Sequence, residues 1–144
     1  MQAPLIPYFQ TSRYRVATMI DLAEIKPNEK AADLGTGDGR IAIALSQAGA
    51  IVTAYELDDK LRALAIENAK KANVGVTFLK KDFWEEDLSA YSIICCYPMP
   101  DIMGRLEHKL QKELRPGSRV LLNYFPFLHW KEKAKKDNIF LYVK

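Results

Sequence analysis

The sequence predicts an α/β fold, a doubly wound and mostly parallel Rossmann-like sheet, shortened at the C-terminus and closed there by an antiparallel β-hairpin. Three observations predict it. Short apolar runs alternate with helical apolar stripes, the pattern of successive βαβ units. The first unit holds Gly35, Gly37 and Gly39 at every second position in AADLGTGDGR, between a strand-like and a helix-like run. Acidic residues recur at the ends of successive strand-like runs, at Asp33, Glu56 and Asp82. Open parallel sheets bind their ligands beyond such strand ends.

The elements follow in order. Residues 1–10 are rich in proline and aromatic side chains and read as an extended arm. Thr11 or Ser12 can cap a helix reaching to about Ile25, with Val16, Met19, Ile20 and Ala23 on one face. A turn at 26–29 leads to the first strand, the glycine turn and a helix in RIAIALSQAGA. A second strand, 51–55, ends in Glu56. The helix after it spans 58–72, directs Leu61, Leu64, Ala65 and Ala69 at the sheet, and ends at Asn73 and Gly75. The third strand is 76–79. A loop through Trp84 leads to a fourth strand, 91–97, which Pro98 and Pro100 break. A helix over 101–114 carries Met103, Leu106 and Leu110 as its stripe. Arg115-Pro116-Gly117 turns the chain into a fifth strand, 118–124. The tail reads as a hairpin turning near Asp137-Asn138, with Lys131, Lys133 and Lys135 alternating on its edge strand.

Composition bounds the reading. At 144 residues the chain fits one domain, 1–144, with an arm and helix at 1–28 and the sheet core at 29–144. The net charge of +3 permits an acidic partner without requiring nucleic acid. No apolar run approaches a membrane span, and MQAPLIPYFQ lacks the basic and apolar regions of a signal peptide, so a cytoplasmic protein is expected. Cys95 and Cys96 are adjacent in an apolar run and read as structural thiols. His108 and His129 stand far apart, so neither a disulfide framework nor a metal site is expected.

The glycine turn points to a nucleotide-like ligand. Glycine admits close backbone approach, and a helix start offers N–H donors. The dinucleotide fingerprint is G-x-G-x-x-G, whereas here the third glycine comes one position early. Asp33 before the turn and Asp38 inside it would repel a pyrophosphate and favour a cation. S-adenosylmethionine carries a sulfonium and an ammonium and no phosphate, so the charge pattern favours a methyl donor over NAD. Glu56, 21 residues after Gly35, can accept ribose hydroxyls. Asp82 can accept the adenine amino group while Phe83 covers the ring. Glu56 and Asp82 could instead cap the elements that follow them.

The chain resembles the small Rossmann-like S-adenosylmethionine-dependent methyltransferases over nearly its whole length. DLGTGDGR, Glu56 in AYELDD, and KKDFW match that family's motifs. It is similar, more narrowly, to protein-lysine methyltransferases comprising archaeal broad-specificity enzymes and the mitochondrial enzyme acting on the ATP-synthase c-subunit. Pro7-Tyr8 with Thr11, DLGTGDGRI, YELDDKL, DFWEEDLSAY, GRLEHKLQKELRPGSRV and Phe125-Pro126-Phe127 carry this resemblance. Two positions depart: Tyr8-Phe9-Gln10 stands where the family has Tyr-Val-Pro, and Ser92 stands where an acid often follows the tyrosine.

The resemblance implies S-adenosylmethionine as cofactor and a cofactor site of Tyr8, Thr11, Asp33, Gly35, Thr36, Gly37, Asp38, Gly39, Glu56, Leu57, Asp82, Phe83 and Cys96. Tyr8 and Thr11 would fold over the cofactor. Tyr97, Pro98 and Phe125 would line the acceptor pocket, and a lysine of a protein partner would be the acceptor. No residue stands out as a general base. The Asn/Asp-Pro-Pro-Tyr/Phe motif of amino-nucleobase methyltransferases is missing. Methylation of RNA or of a small metabolite, and a non-catalytic binding protein, are the rival readings.

Overall fold

The computed structural model describes residues 11–98 and 100–144. Along these residues run α1 (Arg13–Ala23), β1 (Lys30–Leu34), α2 (Arg40–Gln47), β2 (Ile51–Tyr55), α3 (Asp59–Lys71), β3 (Val76–Leu79), β4 (Ile93–Cys96), α4 (Met103–Glu113), β5 (Arg119–Asn123), β6 (Ala134–Lys136) and β7 (Ile139–Val143). The strands form one sheet in the order β3-β2-β1-β4-β5-β7-β6. The first five strands pair in parallel, while β7 runs antiparallel to both β5 and β6.

The sheet is buried on both faces, as parallel sheets require. Along β4, Ile94 and Cys96 join one apolar cluster and Ile93 and Cys95 the other. The first cluster takes Leu106 and Leu110 of α4, and the second takes Met19 of α1 with Ile41, Ala42 and Leu45 of α2. Period-2 strands thus meet period-3.6 helices above and below, the doubly wound arrangement.

Polar contacts fix α1 to the far half of the sheet. Ser12 caps its start by accepting from Arg15 N–H at 3.2 Å. Arg119 on β5 donates to the Ala23 carbonyl at 2.7 Å and pairs with Glu29 at 2.5 Å. Thr18 donates to Asp137 in the β6–β7 turn at 2.8 Å. That turn has positive φ at both Asp137 and Asn138, 53° and 60°. This is the type I′ geometry that matches strand twist, and Asp and Asn tolerate it.

Some element ends differ from expectation. β4 is Ile93–Cys96, because Tyr91 bonds back to the Leu88 carbonyl in a turn. The fourth helix opens with a 3-10 turn at Pro100–Ile102 before α4 begins. β6 is three residues long, so Lys131 and Lys133 lie in the loop before it, while Lys135 places its Nζ 5.3 Å from the Phe140 ring centre. On α3 the buried stripe is Ala65 and Ala69, and Leu64 is exposed at 44%. Small residues win there because α2 lies close: a Cβ added at Gly39 would meet the Ala65 Cβ at 3.0 Å.

Candidate functional site

Strand register gathers the singled-out residues along one edge. Asp33 lies level with Ala54 and Cys95, and Leu34 with Tyr55 and Cys96. Tyr55 is level with Leu79, and Cys96 with Leu122. Gly35, Glu56, Tyr97 and Asn123 therefore leave or end their strands along the C-terminal edge of the sheet. The strand order reverses between β1 and β4, the switch point where such folds bind ligands.

The turn from β1 to α2 holds Gly35, Gly37 and Gly39 at φ of 77°, 60° and 86°. L side chains avoid this region, which accounts for glycine at each place. The turn is stitched to the end of β2. Gly35 and Thr36 N–H both donate to the Tyr55 carbonyl, at 2.9 and 3.0 Å, and Gly39 N–H donates to the Thr36 carbonyl at 3.0 Å. Gly37 N–H donates to Glu56 Oε1 at 2.8 Å. These four turn amides are engaged within the protein, and the first helical amide, Arg40 N–H, donates to Asp38 Oδ1 at 3.3 Å. The turn thus meets a ligand with carboxylates and bare Cα positions. That disfavours phosphate and suits hydroxyls and cations.

The three acids of this region have different surroundings. Asp33 is 2% exposed and accepts from the Thr36 hydroxyl at 2.7 Å. Burial first, and then the Glu56 and Asp38 charges, push its carboxyl up to about 7, opposed by the Thr36 hydroxyl and the nearby Ala42 amide. Asp38 faces a bidentate Arg40, whose Nη2 approaches to 2.6 Å, so its charge is met within the turn. Glu56 is 7% exposed and accepts at both oxygens, from Gly37 and, at 3.1 Å, from Asp58 N–H. A carboxylate has about four acceptor directions, so two protein bonds leave it room for two hydroxyls.

Asp82 caps the 3-10 turn Phe83–Glu85 by accepting from Trp84 N–H at 3.0 Å, the capping role that its sequence position allows. Phe83 is buried in the larger core cluster against Trp84, and Trp84 carries the Arg105 guanidinium 4.1 Å over its ring. Leu57 is half-buried after Glu56. Cys96 is wholly buried in the core, so its side chain has no exposed face, and burial pushes both thiols well up from the ordinary range. Tyr97 is half-buried and Pro98 buried just beyond β4. Phe125 is half-buried after β5. Tyr8 lies outside the described residues. No cluster of potential metal ligands occurs among the described residues.

Thr11 is 3% exposed, and two contacts bind it to opposite sides of the edge. Its hydroxyl accepts from Asn123 Nδ2 at 2.7 Å and its carbonyl from Arg40 at 2.9 Å. Sequence reasoning missed Asn123, Arg15 and Tyr124. Asn123 Oδ1 accepts from Arg15 at 2.9 Å, and the Arg15 guanidinium lies 5.5 Å from the Tyr124 ring centre. The signal for Asn123 is present in VLLN, an apolar strand that ends on a polar residue. A groove of about 850 Å³ runs between α1 and α2, but it reaches this region only at Asp38 and Arg40. Most of its lining, including Val16, Ile20, Ile43 and Ala44, comes from the two helices.

The donor set fits S-adenosylmethionine. Two buried carboxylates without a lysine or arginine partner among the described residues, Asp33 and Glu56, sit beneath and beside the turn, and their field favours a sulfonium and an ammonium. Comparison with known proteins agrees. The model of the ANTKMT methyltransferase domain matches residues 33–134. A protein-lysine N-methyltransferase of Saccharolobus islandicus is 31% identical, over 97% of this chain and 94% of its own length. The adenine nucleotide translocase lysine N-methyltransferase of Mus musculus is 35% identical over 90% of this chain, which spans 57% of that longer protein. The crystal structure of an RNA methyltransferase from Salinibacter ruber, in complex with S-adenosylhomocysteine, superposes with a TM-score of 0.84 at 31% identity, covering 93% of this chain and 91% of that one. This chain therefore belongs to the ANTKMT methyltransferase domain family and is an S-adenosylmethionine-dependent methyltransferase.

Proposed function

We propose that this protein, as a single domain, methylates the ε-amino group of lysine in a protein substrate. The observation that carries the reading is the end-to-end likeness to an archaeal protein-lysine N-methyltransferase. The missing Asn/Asp-Pro-Pro-Tyr/Phe motif after β4 supports it, because Cys96-Tyr97-Pro98 lacks the amide or acid that would hold a nucleobase amine. We further infer a cytoplasmic location, which two buried free thiols fit.

In this reading Glu56 takes the ribose hydroxyls through its remaining acceptor directions. Gly35 and Gly37 bring bare backbone against the ligand, and Thr36 and Leu57 flank it. Asp33 holds the field under the turn without exposed contact, and Arg40 bridges Asp38 to Thr11, keeping the turn and the start of α1 together. Asp82 orients the chain beside the adenine. When bound, S-adenosylmethionine supplies a methyl group already activated by its sulfonium, so the protein's work is positioning and exclusion of water. The acceptor amine, with an ordinary pKa near ~10.4, must arrive neutral, and the half-buried mouth lined by Tyr97, Pro98 and Phe125 favours that form by desolvation.

The RNA methyltransferase among the structural neighbours favours a second reading, in which the same donor site serves RNA. Lysine-methylation proteomics on host cells that lack this gene, restored with wild type or Glu56→Gln, separates the two. The lysine reading expects specific methyl-lysine peptides to vanish and return only with the wild type. An unchanged methyl-lysine profile alongside a lost RNA methyl mark would favour the second.

A further inference from the structure

Just past β5 the backbone makes a turn that a tyrosine would not choose. Phe125 N–H donates to the Asn123 carbonyl at 3.0 Å, closing a γ-turn with Tyr124 at its centre at φ 79°. A γ-turn of this hand is rare and strained, and a bulky side chain raises the strain further. The surroundings hold it in place. Tyr124 N–H donates to the Asn138 carbonyl at 2.7 Å, and the Asn123 side chain is tied to Arg15 and Thr11. Tyr124 is nevertheless 48% exposed, so filling the core does not account for it. Strain maintained at an exposed aromatic beside the strand-end crevice is a feature of sites that work on ligands.

The ring's direction indicates the work. It lies nearly parallel to the Tyr97 ring, 15° apart with centres separated by 6.5 Å. Phe125 meets Tyr124 edge-on at 5.1 Å. Tyr97 leaves β4 at the switch point, so the two rings together give the crevice an aromatic side. The Tyr124 ring already attracts one cation, Arg15. Aromatic faces suit both a chain of methylenes and the cationic head at its end. We infer that Tyr124 is a specificity-determining residue that forms, with Tyr97, the aromatic wall along which the acceptor lysine side chain enters. The inference rests on the lysine reading and names a residue for it.

Tyr124→Ala and Tyr124→Gly both remove the ring, but only glycine is at ease at φ 79°. Wild type and both variants are incubated with tritiated S-adenosylmethionine and limiting host-cell extract, and methyl-lysine is quantified after acid hydrolysis. Melting temperature and S-adenosylhomocysteine affinity are measured in parallel. The expected result is that both variants lose methyl-lysine formation by about tenfold or more, keep their affinity for S-adenosylhomocysteine, and differ in stability, with glycine melting higher. Tyr124→Phe, which keeps the ring, retains most of the activity. Methyl-lysine formed at the wild-type rate by the alanine and glycine variants, or a loss that follows melting temperature, overturns the inference alone. Wild-type label found in RNA, with none in lysine, overturns the lysine reading and the inference with it.

Discussion

Replacing Glu56 with glutamine tests the donor site with the least disturbance. Glu56 Oε1 holds the Gly37 amide at 2.8 Å and Oε2 holds the Asp58 amide at 3.1 Å, and the side chain is 7% exposed. Glutamine keeps one oxygen, so it can still hold the glycine turn through Gly37. It loses the charge, and its NH₂ replaces the second acceptor with a donor. A hydroxyl donating to a carboxylate is worth roughly 1.5–3 kcal/mol, so S-adenosylhomocysteine affinity should fall by roughly 10- to 150-fold. Calorimetric titration measures this directly. Alanine at the same place should weaken binding at least as much and also lower stability by roughly 1–3 kcal/mol, because a buried turn amide loses its acceptor. If Glu56→Gln and Glu56→Ala both bind within a few-fold of wild type while remaining folded, Glu56 serves only the turn and the ribose assignment is wrong.

Asp33 predicts proton release. With its carboxyl near 7 in the free protein, a cation bound beside it should expel about half a proton at pH 7 and about a tenth at pH 8. Titrations in buffers of different ionisation enthalpy should detect this release, and Asp33→Asn should remove it, since the ligand's own titration is common to both proteins. Glu29 predicts acid sensitivity. Burial opposes its ionisation, but Arg119, the Lys26 amide and Ser92 hold it down to about 2 from an ordinary 4.5. A depressed carboxylate gives its full stabilisation above pH 4.5 and loses it as pH falls toward 2, about 1–2 kcal/mol in all once solvent screening of a partly exposed pair is allowed for. Urea titrations across that range should slope less for Glu29→Gln. Gly39→Ala combines φ of 86° with a 3.0 Å approach to the Ala65 Cβ and should cost roughly 2–4 kcal/mol; wild-type stability would contradict the close packing of α2 on α3.

The parts of this fold legible in the sequence are those set by local chemistry. The glycine spacing at 35, 37 and 39 reflects a backbone need visible residue by residue, and the structure has positive φ at all three. The hairpin at Asp137-Asn138 is readable for the same reason. Helix faces are harder. Leu64 reads as inward by period, but the closeness of α2 to α3 reserves the interface for Ala65 and Ala69. Asp38 reads as part of an acidic turn that favours a cationic ligand, and its pairing with Arg40 two residues on is visible only with the turn's geometry. Asn123, Arg15 and Tyr124 come together across more than a hundred residues of sequence. Their meeting depends on α1 docking over the end of β5, a tertiary fact with no local signature. The strained turn at Tyr124 is invisible in sequence because tyrosine gives no hint of positive φ.

The most direct test of the lysine assignment is tritiated methyl transfer into host-cell extract, with the product divided between protease and ribonuclease and then hydrolysed in acid. A lysine methyltransferase gives protease-sensitive label recovered as methyl-lysine, and loses it in the Glu56→Gln variant. Label that ribonuclease removes, or that remains in small molecules, would contradict the assignment.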